Sequence, residues 1–78
     1  MKTLYVLTYL FTWPDDTYCR VECVSHNRKT VEEYMKKDFK YQSTQYDFNN
    51  TEELGDAIKV NSGDYYLERV IEEKILID

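Results

Sequence analysis

Proline and glycine are scarce in this sequence, which has one proline and two glycines among 78 residues. With 42% hydrophobic residues and so few chain breakers, the chain does not have the composition of a low-complexity or disordered segment. Two glycines are also too few for the glycine-rich loop that cradles phosphate groups. The length predicts a single domain, residues 1–78, with a small core.

Cysteine and histidine are equally scarce, which limits metal and nucleophile chemistry. Cys19 and Cys23 are the only thiols and His26 is the only histidine. In a strand their spacing places the two cysteine Cα atoms about 13 Å apart, beyond the ~7 Å limit for a disulfide. A zinc site would need a fourth ligand, and a Cys23–His26 pair would lack an orienting partner and an oxyanion loop. We expect two buried, reduced thiols, no metal and no cofactor.

The carboxylates are numerous but badly placed for catalysis. They occur as adjacent pairs such as Glu32-Glu33 and Glu72-Glu73, whose side chains diverge on a helix or a strand instead of converging on a substrate. The net charge of −5 disfavours DNA and membrane surfaces as partners and favours basic protein surfaces. The sequence therefore predicts a protein that is not an enzyme.

Long apolar runs are absent too, and nothing approaches the roughly 20 residues of a membrane-spanning helix. The apolar start of the chain imitates a signal peptide, but Thr8 and Tyr9 interrupt it and no small-residue cleavage site follows. We expect a cytoplasmic protein.

Residues 3–13 and 17–25 are rich in β-branched and aromatic side chains, and Pro14-Asp15-Asp16 between them is typical of a turn. They predict a β-hairpin in which Trp13 pairs with Tyr18 and Leu7 with Val24. Because side chains alternate across a strand, one face becomes aliphatic and is the expected core. That face comprises Leu4, Val6, Thr8, Leu10, Cys19, Val21 and Cys23.

The opposite face of the hairpin is aromatic and charged, and it is the candidate binding surface. Its binding residues are predicted to be Tyr5, Tyr9, Phe11, Trp13, Tyr18 and Arg20. Three interpretations stay open: residues 43–60 or a second copy of the chain cover it, it binds a partner protein, or its rings stack on nucleobases.

A helix is predicted after the hairpin, because Thr30 and Glu33 have the spacing of a capping box. Its apolar stripe would be Val31, Tyr34, Met35 and Phe39. A second, shorter helix is predicted from Thr51, turning Leu54, Ala57 and Ile58 inward, after a loop anchored by Tyr46 and Phe48.

Residues 64–77 have patterns typical of both a strand and a helix. We favour a strand beside the first one, because a lone hairpin is marginally stable and needs a third strand. The predicted architecture is α+β, in the order ββα(α)β, with an antiparallel sheet of about three strands and helix on one face. The first strand is predicted to be central.

Several stretches resemble small accessory proteins of bacteriophages in their acidic, tyrosine-rich style. They are Thr30-Val-Glu-Glu-Tyr34, Tyr46-Asp-Phe-Asn-Asn50 and Tyr65-Tyr-Leu-Glu-Arg69. The resemblance is compositional and transfers no functional residue. It implies stoichiometric binding that inhibits a host enzyme or a defence complex, in some cases by mimicking the charge of DNA.

The leading hypothesis is therefore a small acidic binding protein without enzymatic activity, an inhibitor or modulator of a larger bacterial protein or defence complex. The alternative is a nucleotide- or nucleic-acid-binding module that uses the aromatic face. The expected partner is a larger host protein or a second copy in a homodimer, in either case bound through the aromatic face.

Overall fold

A computed structural model describes residues 2–13, 16–45, 50–63 and 65–77. The elements are β1 (Lys2–Trp13), β2 (Asp16–Ser25), α1 (Arg28–Ser43), β3 (Thr51–Glu53), β4 (Ala57–Asn61) and β5 (Tyr66–Leu76). The strands form one antiparallel sheet of five strands in the order β2-β1-β5-β4-β3. The α+β class is confirmed, and the sheet has two more strands than expected.

Strand β1 lies inside the sheet, between β2 and β5. Its pairing with β5 runs along its length, from Lys2↔Leu76 to Thr12↔Tyr66. The prediction of a strand beside β1 within residues 64–77 is therefore confirmed for residues 66–76. The turn residues Pro14 and Asp15, and the loop residues Tyr46 and Phe48, lie outside the described residues.

The β1–β2 hairpin contains a bulge that the sequence did not predict. From Tyr5 to Leu7 the partners run from Ser25 to Cys23, but the next pair is Thr8↔Val21, so Glu22 is the extra residue. Trp13 pairs with Asp16 rather than with Tyr18. The bulge reverses the alternation of β2, so that Cys19 and Cys23 lie on opposite faces of the sheet.

Helix α1 begins three residues earlier than the capping-box pattern indicated. Its N-cap is Asn27, whose side-chain oxygen accepts a hydrogen bond from the Lys29 backbone N–H at 3.0 Å. Asn is among the most favourable N-cap residues because this bond satisfies one otherwise unpaired donor. The predicted stripe is correct for Val31 and Met35, which are fully buried.

The core lies between α1 and one face of the sheet, which we call the helix face. Its two clusters are Leu7, Val31, Met35, Ile58 and Ile71, and Tyr9, Val60 and Leu67. The expectation that the aliphatic side of the hairpin is the core is wrong, because β4 and β5 turn their large apolar residues toward Leu7 and Tyr9. Cys23 packs against the core as expected, whereas Cys19 is exposed on the other side. Both thiols are free.

The predicted second helix is also wrong, because residues 51–53 and 57–61 form β3 and β4. Ile58 and Val60 alternate into the core with the period of two that a strand imposes. Leu54 remains exposed. Among the described residues, no helix is long and apolar enough to cross a membrane.

Candidate functional site

The aromatic side chains of β1 continue past the part of the sheet that α1 covers. We call the group formed by Phe11, Trp13, Tyr18, Arg20 and Tyr65 the aromatic tip. Its centre is a three-ring cluster, with ring centroids 5.1 Å apart for Phe11 and Trp13, 5.9 Å for Phe11 and Tyr65, and 5.3 Å for Trp13 and Tyr65. These separations lie within the range in which aromatic pairs attract one another, so the rings hold each other in place.

Strand alternation explains why these rings meet. Phe11 and Trp13 are two residues apart on β1 and share a face, and Tyr18 is the cross-strand partner of Phe11 on β2. Tyr65 directly precedes β5, whose Tyr66 pairs with Thr12, so Tyr65 reaches the end of β1. The tip therefore combines residues from both ends of the sequence.

Arg20 forms the polar border of the aromatic tip. Its guanidinium lies 5.5 Å from the ring centroid of Tyr18 and 5.7 Å from that of Tyr9, within cation–π distance. It donates hydrogen bonds to the Glu22 carboxylate at 2.8 Å and to the Tyr18 hydroxyl at 3.1 Å. These bonds, the one to Glu22 first, raise the pKa of Arg20 above its ordinary value. Arg20 is thus a fixed cation beside exposed rings.

A buried polar cluster of Tyr9, Asp38, Gln42 and Arg69 lies next to the tip, between α1 and the sheet. Arg69 is only 2% exposed, and its guanidinium lies 4.5 Å from the ring centroid of Tyr9. It donates to the Asp38 carboxylate at 3.0 Å and to the side-chain oxygen of Gln42. Gln42 in turn donates to the Tyr9 hydroxyl at 3.1 Å. The cluster joins α1 to β1 and β5 and satisfies polar groups that burial would otherwise penalise.

The predicted binding residues do not form one exposed surface. Tyr9 is 6% exposed and belongs to the core, and Tyr5 packs against the other core cluster. Helix α1 packs on these two residues. Of residues 43–60, the alternative cover, residues 46–49 lie outside the described part of the chain. This half of β1 is therefore not part of an exposed aromatic surface.

The other half of the predicted set remains accessible. Trp13 and Tyr18 are each 47% exposed, Arg20 is exposed, and Phe11 is partly buried beneath them. Sequence analysis missed Tyr65, Arg69 and Asp38. Tyr65 was detectable, since a β5 strand paired with β1 places it next to Trp13.

A shallow pocket of about 280 Å³ lies beside the tip, between β1, β2, β5 and the end of α1. Its walls include Arg20, Tyr41 and Gln45, and its floor is the Tyr9–Arg69 cluster. These groups offer hydrogen bonds and ring faces, which suit a polar or planar side chain. Within the described residues, no group of three or more His, Cys, Asp or Glu side chains is placed to hold a metal ion.

Comparison with protein-family models, with curated proteins and with solved structures finds no match to this chain. The functional argument therefore depends on the geometry of the tip.

Proposed function

We propose that this protein is a non-enzymatic binding protein that inhibits or modulates a larger bacterial protein or defence complex, and that it binds through the aromatic tip. The observation that carries the proposal is the pairing of two half-exposed rings, Trp13 and Tyr18, with the fixed cation Arg20. Trp, Tyr and Arg are the residues that most often dominate the energy of protein interfaces.

The tip is ordered before any partner arrives. Trp13 is held by Phe11 and Tyr65, and Arg20 by Glu22 and Tyr18. Fixing mobile side chains costs about 0.5–1.5 kcal/mol each on binding, so this arrangement lowers the cost. Covering the exposed halves of the two rings removes roughly 200 Å² from water, worth about 5 kcal/mol before association costs.

The charge of the protein indicates the kind of surface that it meets. With a net charge of −5, the chain is attracted to a basic target. Asp16 pairs with Trp13, so a carboxylate lies at the tip itself. A partner that presents an apolar pocket with a basic rim fits this arrangement.

The proposal is tested by affinity capture from bacterial lysate followed by mass spectrometry and titration of the purified partner. Trp13→Ser/Tyr18→Ser should lose the partner while keeping the circular dichroism spectrum, because both rings are half exposed. The matched control is Tyr34→Ser/Leu54→Ser, which removes two exposed apolar side chains outside the tip and its pocket. Loss of binding in the control but not in the tip variant would contradict the proposal.

A nucleobase-binding function is the second candidate, because an exposed indole is a stacking surface. Arg20 is the one cation in the tip, whereas single-strand binders have basic grooves. Titration of Trp13 fluorescence with mononucleotides and single strands separates the two candidates. Saturable quenching at micromolar concentrations would favour the nucleobase function.

A further inference from the structure

The face of the sheet opposite α1, which we call the open face, has no described helix or strand packed on it. It is nevertheless apolar along most of β1 and β2, with Val70 of β5 beside them. Its apolar side chains include Leu4, Val6, Leu10, Val21, Val24 and Val70. Val21 is 59% exposed and Val24 is 50% exposed. The group is contiguous, since Val21 lies opposite Thr8, which pairs with Val70 on the other side.

This composition is unusual for an antiparallel sheet with one face in water. Such sheets alternate apolar and polar residues, whereas a strand covered on both faces is apolar throughout. In β1 both sets are apolar: Leu7 and Tyr9 enter the core, while Val6 and Leu10 face the opposite way. The sequence of β1 is therefore that of a strand covered on both faces.

Charge identifies the occupant as a second copy. The charged residues whose register places them on the open face are Lys2, Lys59, Lys74, Glu52, Glu68 and Glu72. Three cations and three carboxylates leave this face neutral, although the chain carries a net charge of −5. Two copies can approach through this face with little repulsion, and a strongly basic partner would find no excess of carboxylates on it.

The dimensions agree with a dimer interface. A strand of 12 residues such as β1 extends about 40 Å, and five strands are about 24 Å wide. Because β3 and β4 contain only three and five residues, the face measures roughly 650 Å². This lies within the range of ~600–1,000 Å² that each partner contributes to a standard stable interface.

We propose that two copies of this chain pack open face against open face about a twofold axis, as a sandwich of two sheets about 10 Å apart. This inference goes beyond the proposed function. It leaves α1 and the aromatic tip of each copy on the outside of the dimer.

Sedimentation equilibrium and light scattering over a dilution series test the dimer. The wild-type protein should be dimeric, and Val21→Lys/Val24→Lys should raise the dimer dissociation constant on the order of a hundredfold or more, because each buried charge occurs twice. Both valines are at least half exposed in one copy, so the variant should stay folded. Trp13→Ser/Tyr18→Ser is the matched control and should remain dimeric.

A second measurement uses Cys19, which is exposed on the open face, with Cys23 on the helix face as an internal reference. Alkylation of wild-type protein, mapped by mass spectrometry, should slow severalfold at Cys19 as the concentration rises through the dissociation constant. A monomer at all concentrations to about 1 mM, or a dimer unaffected by the valine-to-lysine changes, would overturn the proposal.

Discussion

Arg69 and Asp38 form an ion pair in which the guanidinium is buried and the carboxylate is partly exposed. The stability of the fold should therefore depend on which of the two residues is replaced. Arg69 is 2% exposed, while the side chain of its partner Asp38 is 34% exposed. Replacing Asp38 by Ala leaves a buried cation whose remaining partners, among the residues that the structure describes, are Gln42 and the ring of Tyr9. Replacing Arg69 by Met instead leaves a carboxylate that water already reaches.

The expected free energies of unfolding follow from this difference. Breaking a fully buried pair costs about 3–5 kcal/mol, and the partial exposure of Asp38 lowers our expectation for Asp38→Ala to about 2 kcal/mol. For Arg69→Met we expect a loss of about 1 kcal/mol or less, because a thioether chain of similar length fills the same space. In a domain of this size, 2 kcal/mol corresponds to a fall in Tm of about 10 °C.

Urea unfolding followed by circular dichroism measures both variants, with unchanged m-values showing that the folded state is comparable. The double variant Asp38→Ala/Arg69→Met should be more stable than Asp38→Ala alone, since it removes the unpaired charge. The reasoning is refuted if Arg69→Met costs as much as Asp38→Ala, or if the double variant recovers nothing.

Three further predictions concern the cap, the thiols and one tyrosine. Asn27→Ala should destabilise the protein by about 1 kcal/mol in urea unfolding, and Thr30→Ala by clearly less. A larger loss for Thr30→Ala would instead support Thr30 as the N-cap residue. In dilute, folded protein Cys19 should react with a thiol reagent faster than Cys23, and denaturation should reveal two free thiols; equal native rates would contradict their opposite placement. Burial, and then its hydrogen bond to Glu68, raises the pKa of Tyr66, so the stabilisation is complete below the ordinary tyrosine range near pH 10 and is lost above it. In an alkaline absorbance titration Tyr66→Phe should remove a late-titrating phenol; loss of an early one would contradict this.

Local patterns predicted the elements whose residues all favour one structure. β1, β2 and the stripe of α1 follow from periodicity, and β5 follows from the need of the hairpin for a third strand. These patterns act between near neighbours, which is why a single sequence reveals them.

The face of the sheet that forms the core was not predictable from β1, because both of its faces are apolar. The choice depends on Ile58, Leu67 and Ile71, which reach β1 only through the complete sheet. The bulge at Glu22 has no glycine or other local mark, so the reversal of alternation in β2 is also invisible in the sequence. Of the predicted binding residues, Trp13 and Tyr18 are accordingly half exposed, whereas Tyr9 on the same face is buried.

The pairing of β1 with β5 has a consequence for the order of folding. The partners Lys2 and Leu76 lie far apart in the sequence, so the β1–β5 ladder closes a loop that includes most of the described residues. Such non-local pairing slows folding, and β1 keeps an unpaired edge until β5 has been synthesised. During translation the nascent β1–β2 hairpin therefore exposes the unpaired edge of β1, which other chains can bind. The risk of aggregation through this edge ends when β5 pairs with β1.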